Sequence, residues 1–340
     1  MKVLLISLIF ITFLAPAQQA DVAVNKEILR IAFGSCSKQD QPESQLWAEV
    51  NKTNPDLWVW LGDNIYGDTE DMDVMKAKYD QQKSHTGYKT LLSRSSVIGI
   101  WDDHDFGVND GGAEYPMKDQ SRDLLFDFLN VDKNNPARKR QGAYQSYTYN
   151  NSQGNIKVIL LDARYFRDSL KWENPGTDDK IALKNETGDI LGETQWKWLE
   201  NQLSDNEIDL FILASGIQVI PEEHRWEKWS NFPMAKERLL NTIKKIDTPL
   251  IIISGDRHLS EVSKLDLEGY DYPLYELTSS SLNSPSTISE ENNRFRLKNK
   301  IHERNFATMT IIWIAGKPSI QLKYIGKGGK SLASHQIQFN

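Results

Sequence analysis

The chain of 340 residues has one cysteine, Cys36, so no internal disulfide can brace the fold. It has no excess of positive charge either: Lys and Arg number 40 against 47 acidic residues, for a net charge of -7. Nucleic-acid binding rests on neutralising phosphates with Lys and Arg, so this balance excludes bulk electrostatic binding of that kind. Long hydrophobic runs are missing as well. A membrane-spanning helix takes about 20 apolar residues, and the stretch from Val3 to Leu14 is too short for one, with no longer candidate after it. Internal repeats, low-complexity tracts and clear linkers are also absent, so one α/β domain over residues 21–340 is the simplest division.

The apolar stretch that does exist follows Met1 and Lys2 and precedes Ala15, Pro16 and Ala17. A charged start, a hydrophobic core and an A-x-A site predict a removable secretory signal over residues 1–20 and an exported protein, periplasmic or secreted. No Cys follows the cleavage region, which argues against a bacterial lipoprotein anchor. Exported chains usually pair their cysteines or dispense with them. Cys36 is therefore either buried and inert, or a ligand.

Apolar, strand-like runs recur along the chain and most end in polar clusters. Ile28 to Phe33 leads into Gly34, Ser35, Cys36, Ser37; Leu57 to Leu61 into Gly62, Asp63, Asn64, Ile65, Tyr66; Val97 to Trp101 into Asp102, Asp103, His104, Asp105. Val158 to Leu161 leads into Asp162, Ala163, Arg164, Tyr165; Leu210 to Ala214 into Ser215, Gly216; and Leu250 to Ile253 into Ser254, Gly255, Asp256, Arg257, His258. Helical spacing over residues 44–51, 120–129, 193–203 and 235–245 alternates with these runs, which predicts a partly parallel sheet. Tyr275 to Thr278, Ala307 to Ala315 and Ser319 to Ile325 read as strands joined by turns, an antiparallel finish. Residues 172–192 and 283–300 read as long polar loops that border a cleft.

Strand ends are where a sheet enzyme collects its chemistry. Asp63 and Tyr66 stand three apart, and Asp256 and His258 two apart after another strand, spacings that bring each pair toward one point. Carboxylate, phenolate and imidazole together chelate hard or borderline cations. Singly, each has a plainer reading: an Asp caps a helix or turn, a Tyr packs, Trp101 is core. Their coincidence after independent strands favours a metal-dependent hydrolase. Three carboxylates around His104 also repel unless cations or donors offset them. Arg164 reads as a structural partner of a carboxylate, whereas Arg257 is open between that role and a phosphate clamp. Asn109, in a Gly-rich turn beyond the acidic cluster, is a further candidate for phosphoryl contact. Trp226 and Trp229 either rim a substrate site or pack against the helix that follows.

In order, the GSC turn, GDNIY, WDDHD, LDAR and GDRH blocks resemble the PhoD-like alkaline phosphatase and phosphodiesterase family of the calcineurin-like metallophosphoesterases. The resemblance implies a four-layer α/β/β/α sandwich and an exported phosphoric ester hydrolase using a metal-held hydroxide for in-line attack on phosphorus. It implies that Cys36, Asp63, Tyr66 and His258 hold Fe3+, that Asp63 bridges to a second cation, most simply Ca2+, and that Asp103 and Asp256 complete the ligands. His104 would contact phosphate or donate a proton, with Arg257 and Asn109 as candidates for holding phosphoryl oxygens. The expected substrate is a small phosphate ester or a phospholipid or nucleotide diester, and the expected state a monomer. Family members often carry an N-terminal β-sandwich, for which the sequence before Ile28 leaves no room. Two other functions fit the same blocks: a phospholipid-directed phosphodiesterase, or an exported binding protein that keeps the scaffold without turnover.

Overall fold

A computed structural model describes residues 22–24, 29–286 and 291–339. The predicted signal over residues 1–20 lies outside the described residues. Runs of β-branched and aromatic residues form the strands. In chain order these are β1 (Val22–Val24), β2 (Arg30–Gly34), β3 (Leu57–Leu61), β4 (Ser96–Ile100), β5 (Gln145–Asn151), β6 (Gly154–Leu160), β7 (Lys171–Glu173) and β8 (Ile181–Leu183). There follow β9 (Leu210–Ser215), β10 (Leu250–Ser254), β11 (Ser260–Leu265), β12 (Leu274–Ser279), β13 (Asn305–Ile314), β14 (Lys317–Gly326) and β15 (Ser331–Gln338). The helices are α1 (Trp47–Thr53), α2 (Met72–Ser84), α3 (Thr86–Leu92), α4 (Asp103–Phe106), α5 (Lys118–Phe128), α6 (Gly192–Leu203) and α7 (Pro233–Ile243).

A seven-stranded sheet runs β1-β5-β6-β9-β10-β12-β11 and a six-stranded sheet runs β15-β14-β13-β2-β3-β4. Parallel pairing joins β2 to β3 and β3 to β4, with Phe33 opposite Val59 and Val59 opposite Ile98. In the other sheet β6, β9, β10 and β12 are parallel neighbours. The antiparallel finish lies at β13, β14 and β15, which extend the six-stranded sheet from β2.

Side chains alternate across each strand, so β3 sends Leu57, Val59 and Leu61 one way and Trp58 and Trp60 the other. The first three join Val158, Leu160, Ile212 and Ile253 in an apolar layer between the sheets. Trp58 and Trp60 pack under the helices with Trp47, Tyr79, Tyr88 and Phe126. On the far side, Phe211, Leu213 and Ile252 meet Trp196 and Leu199 of α6 and Leu239 and Ile243 of α7. The result is the four-layer α/β/β/α sandwich. Because both faces of the parallel strands are covered, their sequences are almost continuously apolar.

Several segments depart from the sequence reading: Tyr275 to Thr278, read with the antiparallel finish, belongs to β12, which lies in the other sheet parallel to β10. Residues 72–84 form the longest helix although no apolar spacing marked it: its buried stripe is only Met75, Tyr79 and Gln82, and its start is fixed by Asp71, whose carboxylate accepts from the amides of Asp73 and Val74. Residues 172–192, read as loop, contain β7 and β8 paired antiparallel. Among the described residues no helix is long and apolar enough to cross a membrane.

Candidate metal centre

The loops after β2, β3, β4 and β10 converge, and their backbones are bent to do so. Cys36, Asp63, Asp256 and His258 all have positive φ, at 58°, 48°, 67° and 54°. Such conformations cost non-glycine residues about 1 kcal/mol or more each and collect at functional sites. Two glycines make the convergence possible. A Cβ on Gly62, whose φ is +92°, would lie 2.3 Å from Cβ of Asp102, and one on Gly255 would lie 2.3 Å from the carbonyl of Leu61. Both loops approach their neighbours more closely than any side chain permits.

Cys36 is fully buried, with its Sγ 3.3 Å from Asp63 Oδ2 and 3.0 Å from Ser280 Oγ. The Tyr66 hydroxyl is 3.5 Å from Asp63 Oδ2 and 3.5 Å from His258 Nε2. The other ring nitrogen of His258, Nδ1, is held by the carbonyl of Ser284, which leaves Nε2 facing the cluster. Among the described residues three donor groups are compact enough to surround an ion: Cys36, Asp63 and His258; Asp63, Asp103 and His104; and Asp102, Asp103 and Asp256, with ligand atoms within 4.8 Å of one another in each. Asp63 belongs to two of these groups and Asp103 to two. Among the described residues, Asp63 Oδ1 and Asp102 Oδ2 are buried with no hydrogen-bond partner.

Protonation tells the same story. Burial, reinforced by Asp63, pushes the Cys36 thiol up, and burial together with Cys36 and Asp63 pushes the Tyr66 phenol up. Burial also raises Asp63, and it lifts Asp256 to about 7 with help from Asp103. For Asp103 burial is outweighed by Arg164 and His104, so it falls below the usual carboxylate range. A site that must protonate its own acids in the absence of a cation is one that a cation suits. The donor set, thiolate with phenolate and imidazole on one side of Asp63 and carboxylates on the other, fits two ions of different hardness.

The four residues Asp102 to Asp105 do not all crowd one imidazole, as their spacing suggested. Asp105 turns away and accepts from the amides of Asp102 at 2.7 Å, Asp63 at 3.1 Å and Asn64 at 3.3 Å, and from Asn64 Nδ2 at 2.6 Å. Asp102 pairs with Arg164 Nε at 2.7 Å, and Arg164 pairs on to Glu227 at 2.5 Å, all buried. Arg164 is thus a structural cation beneath the site. Asp103 faces the cavity and is braced by the amide of Asp110 at 2.7 Å. His104 finds its partner elsewhere: its Nδ1 is 2.8 Å from Asp68, and its ring lies 4.2 Å from that of Tyr66. Burial would lower its pKa, but Asp63, Asp103 and Asp68 raise it to about 11. Asp68 carried no sequence signal beyond its place two residues after Tyr66.

A cavity of about 410 Å³ opens over these groups, lined by Asp103, His104, Asn109, Asp256, Arg257 and His258 among others. Cys36, Asp63 and Tyr66 lie outside its lining, linked to it through His258. Asn109 is exposed at the rim, with its amide donating to Asp110. Arg257 is 5% exposed and pairs with Glu291. Both segments expected to border a cleft do so, through Lys180 of one and Pro285, Ser286 and Glu291 of the other. The two tryptophans separate: Trp226 lines the cavity, while Trp229 is fully buried against Trp196 with its indole N–H on Ser215.

Against known proteins, the chain aligns over 303 residues with alkaline phosphatase D of Bacillus subtilis (strain 168) at 22% identity, covering 75% of this chain and 49% of that protein. It therefore spans about half the length of this curated relative. Among solved structures, that of PhoD superposes with a TM-score of 0.72 at 17% identity, over 94% of this chain and 70% of that one. A dimetal phosphatase from Danio rerio superposes at 0.59 and 13% identity, over 93% of this chain and 100% of that one. The purple acid phosphatase PPD1 from yellow lupin seeds gives 0.57 at 12%, over 92% and 54%. The model of the PhoD-like phosphatases matches residues 31–324, a span that contains the loops after β2, β3, β4 and β10, and the chain belongs to that family.

Proposed function

We propose that this protein is an exported, monomeric, metal-dependent phosphoric ester hydrolase whose two cations share Asp63. One observation carries the reading: a fully buried carboxylate is common to the Cys36–His258 group and the Asp103–His104 group, and its Oδ1 has no hydrogen-bond partner among the described residues. Cys36, Asp63, Tyr66 and His258 would hold Fe3+, for which thiolate and phenolate are fitting donors. Asp63, Asp103 and Asp256 would hold the divalent ion, and the all-oxygen set suits Ca2+. When bound, the ions supply Lewis acidity that polarises a phosphoryl group and activates water.

The remaining residues bind, orient and exchange protons. Asp68 fixes His104 through Nδ1, so Nε2 is left to contact a phosphoryl oxygen or to protonate the departing one. Asp68, which is not among the proposed ligands, pairs with Nδ1 and favours the protonated ring. Arg257 presents a guanidinium to phosphoryl oxygens from the loop that also carries Asp256 and His258, and Asn109 adds a neutral donor at the rim. The cavity volume suits a small organic phosphate. A diester substrate is the second reading, favoured by Trp226 in the cavity wall, which offers an aromatic surface to a second substituent.

The test is metal analysis and the visible spectrum of the exported protein, followed by turnover of p-nitrophenyl phosphate and bis-p-nitrophenyl phosphate before and after chelation. Iron near one per chain with a charge-transfer band, and turnover that chelation abolishes, are the expected results. A folded, metal-replete protein that hydrolyses neither ester would instead mark a binding protein on this scaffold.

A further inference from the structure

The cavity contains one arrangement that metal binding does not require. Glu291 Oε1 accepts from Arg257 Nη2 at 2.5 Å and from Trp226 Nε1 at 3.0 Å, so one carboxylate oxygen joins a cation and an aromatic ring in the same wall. The ion pair is shielded, with the Arg257 side chain 5% and the Glu291 side chain 11% exposed. Arg296 steadies the backbone behind it by donating to the carbonyl of Glu291 at 3.1 Å. Trp226 is further fixed by the guanidinium of Arg225, which lies 4.5 Å from its ring. Among the described residues no acceptor bonds to Nε or Nη1 of Arg257, and neither atom is sealed from the cavity.

We propose that Glu291 is a positioning residue that sets substrate class. It holds one terminal nitrogen of Arg257, which leaves the other donors aimed at an anionic oxygen, and it fixes Trp226 at a constant offset from that guanidinium. An ester is then recognised in two parts, its phosphoryl oxygens by Arg257 and a planar aromatic substituent by the indole face. Phosphate esters of aryl or nucleobase-bearing alcohols are the class this favours, since ring stacking against Trp supplies affinity that an aliphatic group lacks. The inference rests on the hydrolase reading for its substrate, but not for its effect on phosphate binding.

The experiment compares E291A, E291Q and W226L with the unsubstituted, metal-loaded chain, using p-nitrophenyl phosphate, glycerol 2-phosphate and calorimetric titration with inorganic phosphate. Loss of a charged, shielded hydrogen bond corresponds to roughly tenfold or more in affinity. E291A should therefore raise KM for both esters and weaken phosphate binding by about that factor, with kcat much less changed. E291Q keeps an acceptor oxygen for both donors and should recover most of the loss. W226L should raise KM for the aromatic ester and leave that for the glycerol ester alone. Unchanged or tighter phosphate binding in E291A would overturn the proposal, as would E291Q behaving like E291A or W226L affecting both esters equally. Turnover by the unsubstituted chain judges the hydrolase reading separately, and the phosphate titration judges Glu291 whether or not turnover is seen.

Discussion

The carboxylate of Asp105 accepts the backbone N–H of Asp63 at 3.1 Å, so the loop after β4 directly holds the residue shared by the two donor groups. The same side chain takes the amides of Asp102 and Asn64 and lies 3.3 Å from the Tyr79 hydroxyl. It is a knot between strand ends, and it is fully buried. Replacing it with Ala leaves several buried donors without an acceptor, which should cost about 2–4 kcal/mol of stability and reduce metal content. Urea denaturation with metal analysis of the folded fraction checks both. Full stability in Asp105→Ala would falsify the knot.

Asp63→Asn should separate site from scaffold. The substitution keeps shape and one acceptor oxygen but removes the charge two cations would share. We expect most activity and most bound metal to be lost, with the far-ultraviolet circular dichroism of the parent and, when both proteins are stripped of metal, a similar urea midpoint. A variant that retains both ions and turnover removes Asp63 from the bridging role.

Cys36→Ser and Tyr66→Phe each delete one soft or coloured donor. Each should abolish or shift the visible charge-transfer band, and Cys36→Ser should also lower iron content. Absorption spectra of the two variants, prepared alongside the parent, decide this; a band unmoved in both removes Cys36 and Tyr66 as its donors.

Arg164→Met should be strongly destabilising. It leaves Asp102 and half of the Glu227 pairing uncompensated in the interior, a change of about 3–5 kcal/mol for a broken buried pair. The thermal midpoint should fall even in fully metal-loaded protein. If the midpoint is maintained, the Arg164 pair is dispensable.

His224 predicts an acid sensitivity that does not come from the proposed ligands. It is 6% exposed, neither ring nitrogen has a partner, and burial, with Arg257 and Lys228 nearby, holds its pKa well below the ordinary value. Above about pH 6.5 the imidazole is neutral in both folded and unfolded chains, and stability is unaffected. As pH falls below that value the unfolded chain takes up a proton that the folded one refuses, so stability declines by up to about 1.4 kcal/mol per pH unit. Urea midpoints at pH 7.5, 6.5 and 5.5 should show a shallower decline in His224→Leu than in the parent. Equal slopes rule His224 out as a source of acid sensitivity.

Much of this was legible before any coordinates. Parallel strands covered on both faces are written as plain apolar runs, so β3, β9 and β10 stood out, and the residues after β3 and β10 marked the site. Helix α2 escaped because a helix lying on the surface needs only a narrow apolar stripe, and Met75, Tyr79 and Gln82 are too few to give a period. The roles of the four residues from Asp102 to Asp105 were unreadable for a different reason. Identical carboxylates diverge according to the direction in which a short helix, α4, turns them, and direction is set by the capping bonds of Asp102 and Asp105. Glu291 and Asp68 gave no signal because each meets its partner across loops whose path no local pattern encodes.

Cys36 sits beside Ser280, 244 residues later, and across from His258 and Asp256. The early part of the chain, as it emerges during synthesis, thus carries Cys36, Asp63, Tyr66 and Asp103 long before the residues that close the cage exist. An ion meeting that fragment finds thiol, phenol and carboxylates on loops with nothing to hold them at the required angles. Capture of a metal ion at this centre is therefore a late event, tied to completion of β10 and β12, and a chain cut short before them lacks the residues that close the cage.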